Sequence, residues 1–94
     1  MIFGFKTVDE KLKDFGFTVK EESKYGVSYT REIERFKYTQ RLDIGHRSNG
    51  NHLIQSYQEG VNGDGFNNVV GLNYNETKLA MKKYRQLKRK YKWN

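Results

Sequence analysis

Ninety-four residues, 35% hydrophobic and 15% aromatic, suffice for one small core, and dividing them would leave neither half enough buried surface to offset its chain entropy, so residues 1–94 are expected to form a single domain. With no Cys there is no disulfide framework, thiolate metal site or cysteine nucleophile. MIFGFK lacks both the basic start and the apolar run of a secretory signal, and no stretch approaches a membrane span, so a cytoplasmic protein without a membrane partner is expected.

Thr7 and Glu10 form a capping-box pattern, followed by Val8, Leu12 and Phe15 at helical spacing, which predicts a short helix over 8–15 that stops at Gly16. Residues 17–19 suggest a first strand. Further on, a hairpin closing at Glu34-Arg35 would pair Arg31 with Tyr38, Tyr29 with Gln40 and Val27 with Leu42. Asn49-Gly50 suggests a two-residue turn that pairs His46 with Leu53, Ile44 with Gln55 and Leu42 with Tyr57. Both registers place Leu42 and Ile44 on one side, which predicts a sheet with one apolar face. GVNGDGFNN, residues 60–68, reads as a glycine-rich loop, and 69–74 as a short last strand.

The sheet needs a cover, and a helix capped by Asn75 and beginning near Glu76 would supply it. At about 100° per residue, Ala80, Tyr84, Leu87 and Tyr91 fall on one arc and Lys78, Lys82, Arg85, Arg89 and Lys92 on the other, with Lys88 in support. The expected fold is α+β: a short N-terminal helix, an antiparallel meander of about four or five strands, and a long basic C-terminal helix packed on one face. This layout, with its capped Thr7-to-Phe15 helix, Gly16-Phe17 break and closing helix near Trp93, resembles small uncharacterised open-reading-frame proteins of bacteriophages and prophages. The resemblance implies a phage-associated accessory protein in a host cell and brings no activity or site with it.

Little in the sequence favours catalysis. Asn62-Gly63-Asp64-Gly65 lacks the first and twelfth ligands of a calcium loop, and no Lys-Ser or Lys-Thr follows the glycines as a phosphate loop requires. In the register above His46 and His52 point to opposite faces, and Asp9, Glu10 and Asp14 lie on the solvated and capping side of the first helix. No catalytic residue, metal site or cofactor is expected.

The charge is the stronger signal. Residues 1–77 hold ten Lys or Arg against eleven Asp or Glu, whereas 78–94 hold eight against none, so the net +7 resides wholly in the closing segment. Lys78–Lys82, Arg85–Arg89 and Lys88–Lys92 are like-charge pairs four residues apart, each costing about 0.2–0.5 kcal/mol in a helix. A solvated helix made of good helix formers is one explanation. Nucleic acid, contacted through Lys78, Lys82, Arg85, Lys88, Arg89 and Lys92, is the partner that turns this repulsion into attraction. With Tyr84 and Tyr91 buried and Trp93 alone free, the contact should be to the backbone rather than to stacked bases. The alternative is a protein-interaction module, an inhibitor or adaptor that docks an acidic surface of a host protein.

Overall fold

The computed structural model describes residues 5–47, 50–59 and 69–93. Helix α1 (Val8–Asp14) leads into strands β1 (Thr18–Ser23), β2 (Gly26–Ile33), β3 (Tyr38–His46) and β4 (His52–Gln58), and helix α2 (Tyr74–Lys90) follows. The four strands form one antiparallel sheet in the order β1-β2-β3-β4, so each pairs with its neighbour in sequence. Both helices pack on the same face. The architecture is the expected α+β arrangement.

α1 forms where its cap predicts. The Glu10 N–H donates to Thr7 Oγ1 at 3.1 Å and the Thr7 N–H donates to Glu10 Oε1 at 2.9 Å, so two otherwise unpaired amides are satisfied. Val8 and Leu12 are buried, while Phe15 leaves the expected apolar stripe and is 36% exposed. Asp9 is not merely solvated: it accepts the Tyr29 hydroxyl and pairs with Lys83 at 3.1 Å. Burial, followed by this bond, pushes the Tyr29 phenol well above its ordinary range.

The β2–β3 pairing differs from the sequence expectation by two residues. Tyr29 faces Leu42, Val27 faces Ile44 and Ile33 faces Tyr38, because a 3-10 turn (Glu34–Phe36) and a left-handed Lys37 (φ 55°) replace the two-residue turn. An even shift keeps every side chain on its predicted face. At β3–β4 the shift is one residue, and its effect is larger. Ile44 pairs with Ile54, Leu42 with Ser56 and His46 with His52, which turns β4 over relative to the prediction. The hairpin closes by the Arg47 N–H donating to the Asn51 carbonyl (2.8 Å), with Gly50 at φ 88° donating to Arg47 (2.9 Å). Gly50 is thus the left-handed residue of a three-residue loop, not the second residue of a two-residue turn.

The core consists of Tyr29, Leu42, Ile44 and Val27 from the sheet, Val8 and Leu12 from α1, Ala80 and Leu87 from α2, Phe17 from the α1–β1 connection, and Trp93. One end of the same face is polar. Arg31 donates to Gln40 Oε1 through Nε (3.1 Å) and Nη2 (2.6 Å), to the Phe15 carbonyl (2.9 Å) and to Glu76 (2.6 Å), and its guanidinium lies 4.1 Å from the centre of the Phe17 ring. Gln40 in turn donates to Ser56. Each buried polar group of this cluster therefore has a partner, as burial demands.

β1 and β2 meet at Gly26, which has φ 143° and lies so close to β3 that a Cβ would stand 2.2 Å from the Ile44 carbonyl oxygen. No side chain fits there. The predicted strand over 69–74 reduces to a single bridge between Val69 and Tyr57, and Tyr74 already belongs to α2. The glycine-rich loop, 60–68, lies outside the described residues.

Candidate nucleic-acid interface

The rotation of α2 about its axis decides which side chains meet solvent, and both of its ends are fastened. At the N-terminus the cap is Asn73, two residues earlier than predicted: Asn73 Oδ1 accepts the Glu76 N–H at 2.7 Å and Glu76 Oε1 accepts the Asn73 N–H at 3.0 Å. The other Glu76 oxygen receives Arg31 at 2.6 Å, so one nearly buried carboxylate both caps the helix and ties it to β2. At the C-terminus the Trp93 N–H donates to the Lys88 carbonyl (3.0 Å) and Lys92 takes a left-handed conformation (φ 54°), which ends the helix in a Schellman turn.

Trp93 is not free, as the sequence suggested, but buried to 7% exposure. Its Nε1–H donates to the Lys24 carbonyl at 2.7 Å, and its ring stacks on His46 at 5.5 Å between centroids. The one-residue register shift brings His46 and His52 together on the helix-covered face, with ring centroids 5.0 Å apart, instead of sending them to opposite sides. His52 Nδ1 lies 2.6 Å from the Tyr84 hydroxyl. These rings form an aromatic clasp around the end of α2. Among the described residues no three His, Cys, Asp or Glu side chains converge as a metal site would require.

With its ends fixed, α2 buries Ala80, Leu87 and Glu76 and rests Tyr84, Tyr91 and Leu79 against the core. Lys78, Lys82, Arg85, Lys88 and Arg89 point outward and are exposed, and so is Lys92, although it belongs to the terminating turn rather than to the helical stripe. No carboxylate of the described residues pairs with any of the six; Lys78 alone has a noted contact, 5.1 Å above the Tyr74 ring. The other two cations of the segment behave differently. Lys83, with its side chain only 12% exposed, lies between Asp9 (3.1 Å) and Glu22 (3.6 Å), and Lys90 pairs with Glu22 at 3.0 Å. Burial raises the Glu22 pKa, but the bonds from Lys90 and Tyr91 and the charge of Lys83 outweigh it and hold the carboxyl below its usual range.

The structure also brings together residues that the sequence reading kept apart. Between α1 and α2 runs a groove of about 710 Å³ lined by Phe15, Leu79 and Met81, with Lys11, Lys78, Lys82 and Arg85 around it and one carboxylate, Asp14, which Lys6 pairs at 2.6 Å. The helical spacing predicts Phe15 on the buried stripe of α1, whereas it lies half-exposed in this groove. The opposite face of the sheet has its own polar cluster, in which Asp43 accepts from Ser28 (2.7 Å), Arg41 (2.8 Å) and Tyr57 (2.5 Å). Burial and the Asp43 bond push the Tyr57 phenol up to about 12. Arg41 and Asp43 neutralise each other, so this face does not extend the cationic surface.

Among the described residues no helix is long and apolar enough to cross a membrane. Comparison with known protein families, with curated proteins and with solved structures found no match.

Proposed function

We propose that this chain is a non-enzymatic accessory protein of the phage type that binds the nucleic-acid backbone through Lys78, Lys82, Arg85, Lys88, Arg89 and Lys92. The observation that carries this reading is the division of the basic segment into two kinds of cation. Lys83 and Lys90 are neutralised by Asp9 and Glu22, whereas the six others are exposed and pair with no carboxylate among the described residues. Along α2 the steps 78, 82, 85 and 89 rise about 6, 4.5 and 6 Å, a ladder of about 17 Å in all. A row of positive charge at this spacing is complementary to a polymer with one negative charge per unit and releases its condensed counterions on binding.

A mobility-shift assay at low salt tests the reading. The native protein should bind a duplex with an affinity that falls with log salt at a slope of about −4 to −5, as about five phosphate contacts imply. Changing Lys78, Lys82, Arg85, Arg89 and Lys92 to Gln should abolish most of both affinity and slope. Equal and negligible binding of DNA and RNA by the two proteins would sink the proposal. The alternative, docking on an acidic protein surface, would then be supported if nuclease-treated host lysate yielded one defined partner that the native protein retains and the variant does not.

A further inference from the structure

Resting on that reading, we infer that the groove between α1 and α2 receives an unpaired base, so that the preferred partner is a single-stranded nucleic acid rather than a duplex. The floor of the groove consists of Phe15, Leu79 and Met81, and Phe15 and Met81 are 36% and 45% exposed. Lys78, Lys82 and Arg85 flank it and belong to the cationic ladder itself; with Lys11 they outnumber the one carboxylate of the lining, Asp14, which Lys6 already pairs at 2.6 Å. Apolar surface thus lies beside phosphate-binding charge, the combination by which strands with splayed bases are held.

The backbone that carries the ring is set in place before any ligand arrives. Phe15 ends α1, its carbonyl accepts Arg31 Nη1 at 2.9 Å, and its N–H donates to the Leu12 carbonyl at 3.0 Å. Its backbone is therefore anchored to β2, and only the side chain has to be ordered when a base stacks on it. Met81 opposite is unbranched and adapts to differently shaped bases, in keeping with sequence-tolerant binding.

Charge complementarity calls for an anionic occupant, and the short apolar floor beside a longer row of charge favours a nucleic acid over an acidic amphipathic helix. A docked helix would need apolar floor over several turns, whereas α1 has seven residues and contributes one exposed ring. The positive charge, by contrast, continues past the groove to Lys88, Arg89 and Lys92, where no apolar surface accompanies it. A strand whose phosphates follow the ladder while one base enters the groove uses both features.

Fluorescence anisotropy with a labelled 15-nucleotide oligo(dT) and a 15-base-pair duplex at equal salt tests this. The native protein should bind the single strand about tenfold more tightly, since one stacked base contributes about 1–3 kcal/mol. Phe15→Ala should remove most of that preference and leave duplex affinity within about twofold, whereas Phe15→Tyr should keep it. Met81→Glu, at an exposed helical position, gives a second reading that does not depend on Phe15, and unchanged melting of each variant separates a lost contact from a lost fold. If single strand and duplex bind alike and neither Phe15→Ala nor Met81→Glu changes the ratio, the groove inference falls while backbone binding stands. If neither nucleic acid binds, both fall. Phe15-dependent binding of a Glu- and Leu-rich helical peptide, with oligo(dT) binding indifferent to Phe15, would identify the groove as a protein-docking site and overturn the inference.

Discussion

Trp93 concentrates more of the fold than any other residue near the end of the chain. Its indole closes the core, satisfies the Lys24 carbonyl and covers the two histidine rings. Trp93→Ala should cost about 3–5 kcal/mol, the range for removing a large buried ring, and should lower the midpoint of chemical denaturation followed by circular dichroism. Trp93→Phe should cost less, since it keeps most of the packing and loses the hydrogen bond. Beneath the indole, His46 Nδ1 and His52 Nε2 are buried and have no hydrogen-bond partner among the described residues. None of this could be read from the sequence, where Trp93 follows the helix and looks unattached.

At the scale of elements, α2 is held to β1 by a carboxylate cluster as well as by its apolar arc. Glu22 receives Lys90 at 3.0 Å and the Tyr91 hydroxyl at 2.8 Å, and its pKa is held below 4.5. A depressed carboxyl contributes stability above its unfolded pKa and loses it as pH falls through the folded value. Glu22→Gln should therefore lower stability by about 1–2 kcal/mol at pH 7, and the difference from the native protein should narrow as pH falls through the lowered folded pKa of Glu22, as paired urea titrations across acid pH would show. The helices were legible because capping chemistry and a 3.6-residue period are local: Thr7, Glu10, Ala80 and Leu87 carry their own instructions. The misplaced cap, Asn75 for Asn73, arose because both asparagines stand near Glu76 and only Asn73 lies three residues before it. Strand registers depend on loop geometry that spans the sheet. Asn49-Gly50 fits two loop lengths, and the choice between them decides whether β4 shows His52 or Leu53 to the helices.

For the whole molecule, the charge of α2 acts on stability as well as on binding. Within the helix Lys78–Lys82 and Arg85–Arg89 remain like-charge neighbours, whereas Lys92 has turned away in the terminating loop. The protein carrying Gln at Lys78, Lys82, Arg85, Arg89 and Lys92 should thus be more stable than the native chain at low salt, by about 0.4–1 kcal/mol. Thermal melts should show a gain of a few degrees that vanishes at 1 M salt, where screening acts within about 3 Å. A helix made only for solubility would show no such opposition between stability and charge. The cationic part of the candidate site was legible because one helical period fixes which residues share a side. The groove was not, since Phe15 and Met81 are 66 residues apart and meet through the packing of α1 on α2.

The clasp at Trp93 also fixes when this protein can fold during its own synthesis. The strands leave the ribosome after α1 but before the rest of their cover exists: Tyr29, Leu42 and Ile44 are made well ahead of Leu87 and Trp93. At about 5–20 residues per second, the 49 residues from Ile44 to Trp93 take roughly 2–10 s. Throughout that interval the part of the apolar face that α2 and Trp93 cover has no partner from this end of the chain, and the gap closes when the indole reaches the Lys24 carbonyl.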